Sequence, residues 1–234
     1  MTSSFKLLSY TESRYRYEIK FVIPIELYRD LILYLKFNNK LFKESYESRI
    51  INSLYFDDCD FNSFCESTSG SINRWKVRLR WYGNKMFVSP QVEVKIKKGN
   101  VGKKIKYQAP NFNINSPFKR SYISSFLDRN KLKNHLANIE KYSFPTLFCS
   151  YNRQYFTSED SLVRITIDRD LSYGQVSIGK SIKNRNLLKD NLVIAEIKFD
   201  SSCDIYFLKK SLLIPFYQQR FSKYSNGINK IYNY

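Results

Sequence analysis

Residues 74–81 read Arg-Trp-Lys-Val-Arg-Leu-Arg-Trp. Successive side chains of a strand point to opposite faces. As a strand, this run puts Arg74, Lys76, Arg78 and Arg80 on one face and Trp75, Val77, Leu79 and Trp81 on the other. The design recurs. Gln91, Glu93, Lys95 and Lys97 oppose Val92, Val94 and Ile96; Glu18 and Lys20 oppose Tyr17, Ile19 and Phe21; Glu196 and Lys198 oppose Ala195, Ile197 and Phe199. Tyr151, Arg153 and Tyr155 share a face, as do Arg164, Thr166 and Asp168. The tetrapeptide EIKF occurs at 18–21 and at 196–199, with EVKI at 93–96 as a variant.

Period-two alternation predicts strands over Arg14–Phe21, Ile51–Phe56, Arg74–Tyr82, Gln91–Lys97, Lys103–Tyr107, Phe148–Phe156, Leu162–Asp168 and Leu192–Phe199. Helices are predicted after Pro24, which suits a first helical turn, and over Phe118–Asp128, Lys131–Lys141 and Asp204–Leu213. Gly99-Asn100 reads as a hairpin turn. Strands outnumber helices and short turns link most of them. The expected fold is therefore α+β: an antiparallel β-barrel with helices packed outside. A chain of 234 residues fits one domain, taken as 14–234 after an extension over 1–13.

The formal net charge of +18 calls for an anionic partner such as nucleic acid, a membrane surface or a phosphate compound. Part of the Lys surplus accompanies a general richness in Asn, Ile, Tyr and Ser, so placement of the cations matters more than their number. No stretch reaches the roughly 20 apolar residues of a membrane span, and MTSSFKLLSY has no apolar signal core. Cys59, Cys65, Cys149 and Cys203 form no CxxC pair, as in a reduced cytoplasmic protein. The sole histidine, His135, lies in a polar stretch, which excludes His-rich metal sites. GxxxxGK[ST] and GxGxxG are both absent, so any phosphate is gripped by side chains.

A half-exposed sheet with its polar side in water explains any one of these strands. It explains the set less well, because like charges facing each other across strands destabilise a sheet. If the charged faces point inward, a polyanion relieves the repulsion, Arg forks take phosphate oxygens bidentately, and the interleaved Glu residues suit a hard divalent cation.

RYEIKF, SLYFDD, KVRLRWYG, EVKIKKG, YNRQYF, RITIDRD, EIKF and FSKYSNGI follow one another between residues 16 and 228. In this order they resemble the VTC domain, the catalytic domain of the vacuolar transporter chaperone polyphosphate polymerase and its bacterial relatives, within the triphosphate tunnel metalloenzymes. The resemblance implies an ATP-dependent polyphosphate polymerase. Lys20, Arg78, Arg80, Lys95, Arg153 and Arg164 match the family's phosphate-gripping cations, and Tyr151 matches a tyrosine close to the nucleotide phosphates. Ser222 and Lys223 match a phosphate-binding pair, with Arg220 where a further cation is expected. Glu196 matches the acid that binds Mn²⁺ or Mg²⁺, with Glu18 and Glu93 next in line; Lys97 and Lys198 lie on the same faces.

Arg16 stands where the first Glu of the ExExK pattern occurs in thiamine triphosphatases and class IV adenylate cyclases. One fewer acid suits a long polyanion. The regulatory SPX domain of eukaryotic relatives does not appear in the sequence, nor does a membrane segment. Sensing and chain export are therefore expected from elsewhere, with a membrane protein as partner and a cytoplasmic location at the membrane. ATP and polyphosphate are the expected ligands, and nucleic acid is not. Two alternatives stay open: a hydrolase of the same fold, acting on inorganic triphosphate or on nucleoside or RNA 5′ triphosphates, and a non-catalytic polyanion binder.

Overall fold

The computed structural model describes residues 7–12, 16–98, 101–127, 141–182, 186–200 and 212–233. The decisive run forms a strand, β4, over Asn73–Tyr82. It lies within a ten-stranded antiparallel sheet. The other long members are β2 (Arg16–Pro24), β3 (Lys43–Asp57), β6 (Gln91–Lys98), β7 (Val101–Gln108), β9 (Phe144–Thr157), β10 (Val163–Gln175) and β12 (Leu192–Asp200). The strand order is β1-β7-β6-β4-β3-β9-β10-β12-β2, with the short β11 (Leu188–Asp190) beside β10. The first strand, β1 (Leu7–Glu12), falls in the stretch read as an extension and pairs with β7. A second sheet joins β5 (Phe87–Val88) to β8 (Phe112–Asn113). β6 and β7 pair out to Lys98 and Val101, on either side of the anticipated Gly-Asn turn, which lies outside the described residues.

Period two accounts for the layering. The apolar faces of β4 and β6 (Val77, Leu79, Trp81, Val92 and Val94) are buried with Phe118, Ile123 and Phe126 on and before α3 (Arg120–Leu127). The apolar faces of β2, β10 and β12 are buried with Leu31 and Leu35 of α1 (Tyr28–Phe37). Full burial of each such side chain stabilises the fold by roughly 1.5–3 kcal/mol. Both tryptophans lie on this outer face: Trp81 is buried, while Trp75 is half-buried and stacks on Tyr142.

The opposite face corrects the sequence reading in two ways. First, a closed barrel was expected, but among the described residues no ladder joins β1 to β2. The free edge of β2 is covered instead by the segment before the last helix, where Phe21 bridges Gln218 and the Gln219 amide donates to the Lys20 carbonyl at 2.9 Å. The sheet nevertheless curls far enough for Lys95 on β6 to act on Glu18 of β2, near the other end of the strand order. Second, the helices do not all pack outside. α4 (Lys223–Tyr232) and α2 (Asn62–Thr68) cover part of the concave face. There Tyr224 and Ile228 pack with Tyr55, Leu147, Cys149 and Tyr173. The inner half of β3, Ile51–Asp57, is therefore buried on both sides.

Glycine makes this docking close. A Cβ at Gly227 would stand 2.5 Å from Leu147 Cδ2 and 2.6 Å from Tyr173 Cδ1. Asp57 fastens the two inner helices together. Its carboxylate accepts the Ser63 and Phe64 amides at the start of α2, at 2.9 and 3.1 Å, and the Tyr224 hydroxyl of α4 at 2.5 Å. The helices expected over Lys131–Lys141 and Asp204–Leu213 lie largely outside the described residues, as does His135.

Candidate functional site

The registers of the sheet gather the charged faces. Opposite one another stand Lys76 and Lys95, Arg78 and Glu93, and Arg74 and Lys97. β7 adds Lys104 beside Lys95 and Lys106 beside Glu93. Across the trough, Lys20 pairs in register with Glu196, and Glu18 with Lys198. Three carboxylate-centred clusters result.

The first is centred on Glu93, which is 2% exposed. Arg78 donates to its Oε2 from Nη2 at 2.5 Å and from Nε at 2.8 Å. Lys104, Arg80 and Lys106 follow at 3.1, 3.5 and 3.6 Å. Burial alone would raise this carboxyl's pKa; Arg78, Arg80 and Lys104 override it and hold the group well below the usual carboxylate range. Glu93 thus serves as a counter-ion, its oxygens taken up by cations rather than left for a metal. Arg80 is buried, donates to the Tyr151 hydroxyl at 3.2 Å, and keeps a buried Nε without a hydrogen-bond partner.

The second is centred on Asp168, which is fully buried. Arg153 binds it bidentately at 2.5 and 2.7 Å, and Lys223, at the start of α4, donates at 2.6 Å. Both cations also lie over the Tyr151 ring, Arg153 at 5.3 Å and Lys223 at 4.7 Å from its centroid.

The third comprises Glu196, Glu18, Lys20 and Lys198. Lys198 meets Glu196 at 2.5 Å, Lys20 meets Glu18 at 2.9 Å, and Lys20 also reaches Glu196 at 3.7 Å. Burial would raise the Glu196 carboxyl, but Lys198 and Lys20 hold it below its ordinary value. Glu18 is also lowered: burial and the Glu196 charge push it up, and Lys20, Lys95 and Lys198 outweigh them.

Between the clusters stands Lys76. Its ammonium donates to the hydroxyls of Ser67 and Ser222 at 2.8 and 2.9 Å. No acid lies within ion-pair distance of it among the described residues. Burial first, then Arg74, Lys20, Lys95 and Arg78, push its pKa down to about 7. Burial also lowers Lys104 to about 7, despite Glu93. Lys95 stays exposed to solvent, yet partial desolvation first, then Lys20 and Lys198, lower it against the pull of Glu18 and Glu196.

Three further predicted site residues are peripheral. Arg164 is exposed opposite Lys198, Lys97 is half-buried opposite Arg74, and Arg220 is exposed on the segment leading to α4. Ser222 caps α4 by accepting the Ser225 amide. Lys76, Lys104, Lys106 and Asp168 belong to the site although they were not among the predicted site residues. The alternation in RWKVRLRW put Lys76 on the charged face, and the same rule, not applied to KKIKY, would have put Lys104 and Lys106 on one face together.

Among the described residues, no group of three or more His, Cys, Asp or Glu side chains could hold a metal ion. Glu18 and Glu196 are a different case. Each raises the other's cost of ionisation, and Lys20 sits between them. Lys198 and Lys20 meet the two oxygens of Glu196, and Lys20 meets one of Glu18, so a divalent cation that keeps several waters and shares phosphate oxygens would bind here by taking the place of these ammonium groups.

Fold and site together define an antiparallel-sheet protein curled about a cationic concave face. The family model of the VTC domain matches residues 15–232, and the chain belongs to that family. Its fold is similar to that of the PH1819 protein from Pyrococcus horikoshii OT3, with a TM-score of 0.50, 15% identity and coverage of 92% of this chain and 99% of that one. A candidate adenylyl cyclase from Hippeastrum, HpAC1, described with a dominant triphosphatase activity, aligns at a TM-score of 0.42 and 12% identity, covering 92% and 95% of the two chains. A candidate adenylate cyclase from Vibrio parahaemolyticus aligns at 0.44 and 10%, covering 89% and 95%. No curated protein matches the chain in sequence. No helix among the described residues is long and apolar enough to cross a membrane.

Proposed function

We propose that the chain is a nucleotide-dependent polyphosphate polymerase, which moves the terminal phosphoryl group of ATP onto a polyphosphate chain held in the cationic trough. Family membership supports an enzyme of phosphate chemistry in a tunnel-like fold. The observation that carries the reading is the position of Lys76 and Lys95. Both stand on the concave face among Lys20, Arg74 and Arg78, and neither has an acid within ion-pair distance among the described residues. Gathering like charges with too few counter-ions is costly where they are partly desolvated, as at Lys76, and a polyanion laid along them removes the cost.

In this reading Arg78 and Arg80 exchange part of their contact with Glu93 for phosphate oxygens. Lys20, Lys76 and Lys95 neutralise charge along the chain, with Arg164 and Lys97 continuing the row into solvent. Glu18 and Glu196 would hold Mn²⁺ or Mg²⁺ in exchange for Lys20 and Lys198; the metal, when bound, would screen the transferring phosphates and stabilise developing charge. The residues position and neutralise, which is most of what phosphoryl transfer asks of a protein. Arg16 in place of an acid favours a chain over water as acceptor. The experiment is direct: supply the purified chain with ATP and Mn²⁺ and ask whether ADP and polymer appear together.

A further inference from the structure

Tyr46, Arg49 and Tyr155 stand together at the solvent end of β3 and β9. Tyr46 pairs in register with Tyr155, and their rings meet edge to face at 5.7 Å and 83°. The Arg49 guanidinium lies 5.6 Å from the Tyr46 ring centroid and 5.9 Å from that of Tyr155. Tyr155 lies two residues beyond Arg153 on the same strand face, about 7 Å along the chain. Cations and rings therefore alternate outward along one face: Lys223 and Arg153 on Tyr151, then Arg49 on Tyr155 and Tyr46. Tyr82 is also close enough to act on Tyr155.

A cross-strand tyrosine pair stabilises a sheet by roughly 0.2–1 kcal/mol, and that explains the contact between the two rings. It does not explain why Tyr46 stays 62% exposed, beside an exposed guanidinium and next to the buried phosphate-binding cations. Large rings and guanidinium planes left in water suit a flat ligand, which both can stack on.

We propose that Tyr46, Tyr155 and Arg49 form a stacking subsite for the base of a nucleoside triphosphate whose phosphates run inward to Arg153 and Arg80. The inference rests on the phosphate-binding reading above and adds the portion of the ligand that an inorganic phosphate chain lacks. Every base has a π-face, and these three residues offer stacking rather than edge readout. The subsite therefore accepts purines and pyrimidines, with purines favoured by their larger ring area.

Isothermal titration of the full chain with ATP and, separately, with inorganic triphosphate, in EDTA to prevent turnover, tests the assignment. Tyr46→Ala and Tyr155→Ala should each weaken ATP binding by roughly 5- to 150-fold, the range given by loss of one base–aromatic stack. Inorganic triphosphate should bind these variants within about twofold of wild type, and Tyr46→Trp should restore ATP binding. Unchanged ATP affinity in both Ala variants, or equal weakening of both ligands, overturns the subsite while leaving the phosphate reading in place. A wild-type chain that binds neither ligand overturns both.

Discussion

The Lys223 ammonium donates to the buried Asp168 carboxylate at 2.6 Å, tying the first residue of the C-terminal helix to the floor of the concave sheet. Arg153 grips the same carboxylate from its own strand. One acid thus holds two predicted phosphate ligands in place and joins fold to site.

Asp168→Asn should be strongly destabilising. The substitution keeps shape but leaves two buried cations facing a neutral amide, and breaking a buried pair in this way costs about 3–5 kcal/mol. Urea unfolding followed by tryptophan fluorescence measures it. A loss under about 1 kcal/mol would mean the cluster is solvated and far weaker than its burial implies.

Stability should rise with pH in two separate windows. Glu93, Asp168 and Glu196 titrate below their ordinary values when folded. Their contribution is complete above the unfolded carboxylate pKa near 4 and is lost as pH falls toward the folded values. Lys76 and Lys104 titrate at about 7 when folded, against about 10.4 unfolded. The unfolded chain then binds more protons between these limits, so the ligand-free protein gains stability as pH rises from 7 to 9. Thermal melts at low salt should show that rise, and inorganic triphosphate should abolish it by reprotonating Lys76. A flat or falling Tm across that window in the free protein would contradict the buried, lysine-rich trough.

Glu196→Gln should lower turnover by about 10²-fold or more, the scale of losing a metal's charge stabilisation. The fold should survive, since Lys20 and Lys198 keep Glu18 nearby. Mn²⁺ titration in the presence of triphosphate, read by the metal's own paramagnetic signal, should weaken in parallel. Full activity in the Gln variant would put the metal elsewhere.

Gly227→Ala tests the inner helix. Alanine gains about 1 kcal/mol of helix propensity, yet its Cβ meets Leu147 and Tyr173 at distances no relaxed contact shows. Overpacking of this kind costs roughly 1–3 kcal/mol. Net destabilisation in urea, with looser triphosphate binding as Lys223 shifts, is expected. A stabilised variant would mean that α4 does not lie against β9 and β10.

The sequence made half of this arrangement readable. Arg78, Arg80, Glu93 and Lys95 announce their face through strict alternation, because a strand's period is local and needs no knowledge of its neighbours. Trp81 and Val77 announce the outer face by the same rule. The inner helices were not readable in that way. Asn62–Thr68 has no sustained apolar stripe, and Lys223–Tyr232 docks through Gly227, Tyr224 and Ile228 onto Tyr55, Leu147 and Tyr173, all far from it in the chain. Asp57 and Asp168 look like ordinary polar strand residues until distant amides and cations converge on them. The open ladder is a similar case: Gln218 and Gln219 cover the β2 edge, and nothing in their own spacing signals it.

The fate of the γ-phosphate tests the central claim most directly. ATP labelled at that position, incubated with the purified chain and Mn²⁺, should yield ADP and a labelled ladder of long polyphosphate on a gel. Arg80→Ala should remove the ladder, since a charge-assisted contact to the transferring group is worth several kcal/mol. Its fold should hold, because Glu93 keeps Arg78 and Lys104. Label appearing only as free phosphate, at a rate indifferent to added polyphosphate, would contradict the polymerase and make the protein a hydrolase; nucleotide left intact under every divalent metal would make it a binder.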